Sequence, residues 1–221
     1  MKNFSEIQSL MKSDMEKTDE ILIDRLDSNV DLINQMSHYI IASGGKRLRP
    51  LLLLLSARAT NYTGKDHHAM AVVIELIHTA TLLHDDVVDE STTRRSQDTA
   101  NELWGNAPSV LVGDFLYSRA FEIMVEPNSM AIMRILSKAT NQIAEGEVLQ
   151  LLNIRNANVS QTKYINVIEQ KTARLFEAAC KIGALLSDSS EKTINSLGYF
   201  GLHLGKAFQI IDDALDYVWH T

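Results

Sequence analysis

The chain has 221 residues, 45% of them hydrophobic, with three prolines, ten glycines and one cysteine. Its formal net charge of -7 leaves no basic surface of the kind a nucleic-acid duplex requires. A single cysteine, Cys180, excludes an internal disulfide and suits a reducing cytosol, where it reads as a small buried side chain.

The length favours one domain over two, and the scarcity of Pro and Gly points to an all-α protein. The N-terminal "MKNFSEIQSLMKSDMEK" carries charges throughout and is no signal peptide. "LLLLL" at 51–55 is too short to cross a bilayer, so a cytoplasmic protein without a transmembrane segment is expected.

Residues 5–26 read as a first helix. "DSNVDLINQMSHYIIA" reads as a second, with Asp27 or Asn29 as N-cap and "SGG" (43–45) as its stop. Pro50 opens a third, where a missing N–H costs little. From Asp66 to Asp89 runs a long helix apolar on nearly every side, the kind that belongs in the centre of a bundle. "ESTTRRSQDTANELWGN" is a polar connection, and Pro108 starts the next helix, which stops at "EPNS". Further helices are expected at 129–153, 161–187, 190–198 and 199–219. No strand alternation is visible. The whole predicts a single large helical bundle, one domain over 1–221.

Two acidic clusters interrupt this apolar pattern: "DDVVD" with Asp85, Asp86 and Asp89, and "DDALD" with Asp212, Asp213 and Asp216. A helix turns about 100° per residue, so the outer carboxylates of each cluster stand one turn apart on one face. Like charges at that spacing destabilise a helix, and both clusters follow long helical stretches, at the end where the dipole repels anions. A solvated helix end is the plain alternative. A hard divalent cation resolves both difficulties, since Mg²⁺ takes one or two carboxylates and completes its shell with water and substrate phosphate.

Cations stand nearby in sequence. "GGKRLRP" offers Lys46, Arg47 and Arg49, and "TTRRS" offers Arg94 and Arg95. Either is a solvated basic patch or, in an acidic chain, a phosphate clamp, because the guanidinium fork matches phosphate oxygens in pairs. His78 is either a satisfied core histidine or a ligand contact, and His84 a supporting group behind the aspartates.

"GGKRLRP", "ELIHTATLLHDDVVDESTTRR", "GNAPSVLVGDFLYSRAF", "QKTARLFEAAC" and "GLHLGKAFQIIDDALDY" together resemble the trans-isoprenyl diphosphate synthases, from about residue 20 to 217. Within that family the chain is most similar to the bacterial octaprenyl-forming branch, which makes quinone side chains. The resemblance implies the isoprenoid synthase fold, a helical bundle around a central cavity. It also implies condensation of isopentenyl diphosphate with an allylic diphosphate such as farnesyl diphosphate, giving a medium- or long-chain all-trans product. Up to three Mg²⁺ are implied, two on Asp85 and Asp89 and a third on Asp212. Lys46, Arg49, His78 and Arg95 would hold isopentenyl diphosphate; Arg94, Lys171, Thr172 and Gln209 the allylic diphosphate. Asp85, Asp89, Asp212 and Lys171 carry the catalytic expectation, and Asp86, Asp213 and Asp216 would support the ligands from behind.

The product would grow down a tunnel beside the central helix. Ala80 and Thr81 are small where short-chain members place aromatic rings, and Leu76, Ile77, Val73 and Phe121 would line it further down. A homodimer that delivers its product to membrane enzymes is the implied assembly. The family continues past the second motif into a loop and more helices, whereas this sequence ends "DYVWHT", so the usual C-terminal helices are expected to be lacking. Ser96 stands where the family has Gly. A ligand-binding or regulatory subunit of the same fold is the second reading. A terpene cyclase is the third, disfavoured because it needs no clamp for isopentenyl diphosphate.

Overall fold

The computed structural model describes residues 3–154 and 158–219. They form two compact units, one built from residues up to 54 together with 65–128, the other from 55–64 together with 129 onward.

In the first unit, α1 (Phe4–Leu10) and α2 (Lys12–Arg25) replace the one helix expected over 5–26. The break falls at Met11, whose φ of -98° and ψ of 5° leave the helical region while its side chain is 2% exposed. Asn3 and Glu6 close a reciprocal capping box at the start of α1. The next helix, α3 (Asp31–Ala42), begins later than expected, and neither Asp27 nor Asn29 is its cap. Val30 holds that place without a side-chain bond, and Asn34 instead accepts from the Ser28 N–H and donates to the Ser28 carbonyl.

Helix α4 (Leu48–Ala59) starts in the first unit and ends in the second. Pro50 is its third residue rather than its first, still among the four positions whose N–H has no helical partner. Helix α5 (Asp66–Val88) carries the first core: Met70 through Ile74, Ile77 and Ala80 are fully buried and Leu76 nearly so. It packs along α2 and α7 (Asn106–Met124), whose Leu116, Ala120 and Ile123 are buried in turn. Each large aliphatic buried here contributes roughly 1.5–3 kcal/mol.

The polar connection after α5 holds a small hairpin that alternation could not reveal. Strands β1 (Thr93–Arg94) and β2 (Gln97–Asp98) pair antiparallel, Thr93 with Asp98 and Arg94 with Gln97. Arg95 and Ser96 make the turn with φ of 53° and 62°, the two-residue loop with both φ positive that suits a twisted hairpin. A short α6 (Ala100–Trp104) leads into α7.

The second unit contains α8 (Met130–Asn153), capped by Ser129, and α9 (Gln161–Ile168), capped by Ser160. A π-helical turn (Glu169–Ala173) interrupts the predicted helix over 161–187 before α10 (Arg174–Leu185). Helix α11 (Glu191–Trp219) is continuous where two helices, 190–198 and 199–219, were expected. Its glycines are packing positions: a Cβ on Gly201 would lie 2.5 Å from the Phe176 carbonyl oxygen of α10. Among the described residues no helix is long and apolar enough to cross a membrane.

Candidate active site

The first unit gathers most of the predicted cations around one open cleft. Arg47, His78, Asp86, Arg94 and Arg95 line it together with Tyr39 and Glu75. The two basic motifs meet through a glycine. Gly45 has φ of 147°, and a Cβ there would lie 2.6 Å from an Arg95 guanidinium nitrogen. "SGG" therefore ends a helix and also seats Arg95.

Arg49 Nη1 donates to His78 Nε2 at 3.0 Å. An arginine can only donate, so Nε2 is the acceptor, the ring is neutral and its proton sits on Nδ1. Burial holds the His78 pKa well below the ordinary range, reinforced by Arg49, Arg95 and Arg94. His78 is a polar group of the cleft and not a plain core histidine.

Asp86 is 5% exposed and is gripped through its Oδ1 by Arg94 Nε at 2.9 Å and Nη2 at 2.8 Å. Asp85 and Asp89 end α5: Asp89 is its C-cap, and the Asp89 N–H donates to the Asp85 carbonyl at 2.8 Å. The Asp89 side chain is exposed and that of Asp85 half-buried. Neither carboxylate lines the cleft, nor does the exposed Lys46. His84 turns towards α7, with Nε2 3.3 Å from the Val110 carbonyl and 3.4 Å from Asp114 Oδ1.

Leu76, Ile77 and Ala80 are buried in α5. Thr81 is half-buried and gives its hydroxyl proton to the His78 carbonyl at 2.7 Å. Phe121 stands apart from them in exposure, 45% accessible on α7.

Sequence reasoning missed Glu75, Tyr39 and the partners of Arg47. Arg47 Nη1 lies 3.2 Å from Asp19 Oδ1 and 3.8 Å from Glu75 Oε1. Burial raises the Glu75 pKa, and Arg47, Arg49 and Arg95 oppose that rise. A lone carboxylate in "AVVIELIH", three residues before His78 and so on its face, was the available signal. Tyr39 donates its hydroxyl to the Asp98 carbonyl at 2.8 Å, tying α3 to the hairpin.

In the second unit the predicted residues form a connected polar chain. Thr172 Oγ1 donates to Gln209 Oε1 at 2.9 Å, and Gln209 Nε2 to Asp213 Oδ1 at 2.8 Å. Tyr164 completes it, donating to Asp213 Oδ2 at 2.5 Å. Lys171 Nζ lies 2.7 Å from Glu147 Oε2, so it is no ordinary exposed helix lysine. Asp212 and Asp216 are exposed on α11.

Lys171 and Thr172 belong to the π-helical turn, whose wide backbone is a device found often at functional sites. A glycine allows it. A Cβ on Gly146 of α8 would lie 2.6 Å from the Lys171 backbone nitrogen. Glu169 anchors the same turn through Arg174 at 2.5 Å and through Lys206. Glycine in "AEGEV" was the one hint of this packing; the π-turn itself leaves no mark in periodicity.

The family model described as polyprenyl synthetase matches residues 30–221. Octaprenyl diphosphate synthase of Escherichia coli is 49% identical over 215 residues, covering 97% of this chain and 67% of the relative. The all-trans-nonaprenyl-diphosphate synthase of Rhodobacter capsulatus is 43% identical over 96% of this chain and 65% of its own length. Among solved structures, a polyprenyl synthase from Caulobacter crescentus complexed with calcium and isoprenyl diphosphate superposes with a TM-score of 0.95. It is 46% identical over 97% of this chain and 66% of that one. The chain thus spans about two thirds of the length of the relatives it matches. Likeness at this identity makes the fold that of the isoprenoid synthases.

Proposed function

The chain belongs to the polyprenyl synthetase family, and from that premise we propose that it condenses isopentenyl diphosphate with an allylic diphosphate such as farnesyl diphosphate. The product is a medium- or long-chain all-trans polyprenyl diphosphate, octaprenyl in the specific reading, destined for the side chain of ubiquinone. The observation that carries this is the gathering of three arginines, Arg47, Arg94 and Arg95, with the neutral His78 around one cleft of an acidic chain, beside Glu75, Asp86 and Asp98.

The roles proposed are those the family resemblance implies, and several contacts support them. Lys46, Arg49, His78 and Arg95 hold isopentenyl diphosphate. With Nε2 accepting from Arg49, the neutral His78 keeps its Nδ1 proton as a donor for a diphosphate oxygen. Arg94, positioned by Asp86, and Lys171, Thr172 and Gln209 hold the allylic diphosphate and draw its charge away as the carbon–oxygen bond breaks. The double bond of isopentenyl diphosphate then attacks the allylic cation, and the departing pyrophosphate accepts the proton that is lost.

Mg²⁺ fits the donor chemistry of the acidic motifs. Asp85 and Asp89 offer hard oxygen donors one turn apart at the negative end of α5, and Asp212 offers another on α11. Asp86 and Asp213 are already engaged, by Arg94 and by Tyr164 and Gln209, and suit supporting roles; Asp216 supports from the same exposed stretch. Bound there, up to three ions would supply Lewis-acid stabilisation of the leaving diphosphate. The Caulobacter relative, solved with calcium and isoprenyl diphosphate, supports a divalent cation and this ligand class. A homodimer working in the cytoplasm and delivering its product to membrane enzymes completes the proposal.

The test is incubation of the purified chain with farnesyl diphosphate, radiolabelled isopentenyl diphosphate and Mg²⁺, followed by sizing of the product. Labelled chains of medium or long length are expected, and Asp85→Ala should abolish their formation without loss of fold. An unchanged rate in that variant would remove Asp85 from the metal site. Binding of labelled isopentenyl diphosphate with no incorporation at any enzyme level would move the chain to the second reading, a ligand-binding or regulatory subunit.

A further inference from the structure

We propose that Asp14, His67 and His68 form a binding site for a divalent transition metal of the zinc class. Asp14 lies on α2, and the two histidines are the second and third residues of α5. The aspartates of the first acidic motif close the opposite end of α5, roughly 30 Å away along the helix, so the two sites are distinct.

The donor atoms are already gathered. One ligand atom from each residue lies within 4.8 Å of the other two. His68 Nε2 is 3.0 Å and His67 Nε2 3.5 Å from the same Asp14 Oδ1. A tetrahedral zinc with bonds of about 2.0–2.1 Å holds its ligand atoms roughly 3.3 Å apart, so the observed spacings fall on either side of the required one. The imidazoles lie against each other, their centroids 3.8 Å apart with planes tilted by 37°. Two imidazoles on one tetrahedral ion have centroids roughly 5 Å apart, so loading the ion requires the rings to swing away from each other.

The donor set selects the metal. Two imidazoles and one carboxylate suit Zn²⁺, Co²⁺, Ni²⁺ or Cu²⁺, whereas Mg²⁺ prefers oxygen alone. The site is also shielded, with the side chains of His67, Asp14 and His68 exposed by 1%, 12% and 14%. The site lies in the first turn of α5, where the helix dipole opposes a cation, so the Asp14 charge and the direct bonds must outweigh it. With water in the fourth position, the ion would clasp α2 to the start of α5.

Metal-free protein is titrated with Co²⁺ in excess Mg²⁺, which saturates the oxygen-only sites. One equivalent per chain is expected to give visible absorption bands of tetrahedral intensity, displaced by Zn²⁺, and Zn²⁺ should raise the melting temperature. His68→Gln, which keeps a hydrogen-bonding group beside Asp14, and Asp14→Asn should each weaken Co²⁺ binding by about tenfold or more. Asp85→Ala should leave it unchanged. Absent bands, or bands of equal strength in His68→Gln and Asp14→Asn, would reduce the cluster to an ordinary histidine–aspartate contact.

Discussion

At His78 a hydrogen bond decides a protonation state, and the protonation state decides a pH dependence. Nε2 accepts from Arg49, and burial together with Arg49, Arg95 and Arg94 holds the ring pKa far below its ordinary value. An unfolded chain takes up a proton at this histidine near pH 6.5, at the ordinary value of about 6.5, while the folded chain refuses it. Stability contributed by the neutral ring is therefore complete above about pH 6.5 and is lost as pH falls, by at most about 1.4 kcal/mol per pH unit. His78→Gln keeps an acceptor for Arg49 and removes the titration. Urea midpoints of wild type should drop more than those of the variant between about pH 7.5 and about pH 5.5. Parallel curves would show that His78 is protonated in the fold. Glu75, raised by burial, contributes with the opposite sign in both proteins and cancels in the difference. The sequence left His78 open between core and ligand because periodicity reports a face and not a partner. Ser96 was legible only as a departure; the hairpin turn, where φ is 62°, explains why glycine suits that position.

At the scale of elements, helix type and order were readable, because 3.6-residue periodicity reports burial directly. The errors fall where packing overrides local signals. Gly198, Gly201 and Gly205 lie within the continuous α11, where they face Lys181, Phe176 with Cys180, and Ala173 with Phe176. The same contact buries the Cys180 thiol and pushes its pKa up to about 11. Gly201→Ala sets two effects against each other. Alanine gains roughly 1 kcal/mol of helix propensity. Its Cβ would meet the Phe176 carbonyl oxygen at 2.5 Å and Cys180 Sγ at 2.9 Å, and backbone cannot yield as a flexible side chain can. Overpacking of this kind costs roughly 1–3 kcal/mol, so the variant should be less stable despite better propensity. Denaturant midpoints check the sign, with the exposed Asn195→Ala on the same helix as the control that should gain slightly. A stabilised Gly201→Ala would mean that α10 and α11 separate without penalty.

For the whole molecule the governing tension is a net charge of -7 in a protein proposed to bind polyanions. Composition argues against nucleic acid, since that ligand needs a charge field spread over a large surface. A diphosphate needs only a local one, which in the proposed reading comes from Arg47, Arg94 and Arg95 in a cleft they share with Glu75, Asp86 and Asp98. The two fields respond oppositely to salt. Repulsion from the distant carboxylates is screened beyond a Debye length of about 10 Å at 0.1 M, whereas contacts inside the cleft are screened less. With free Mg²⁺ fixed, KCl added from roughly 0.05 to 0.25 M should change the wild-type KM for isopentenyl diphosphate by less than about threefold, because the effects oppose. Lys46→Ala/Arg95→Ala removes much of the local attraction and leaves the repulsion. Its KM should be higher at low salt and should fall as salt is added. A KM that rises steeply with salt in both proteins would place the attraction in a diffuse surface field and refute the cleft as its source.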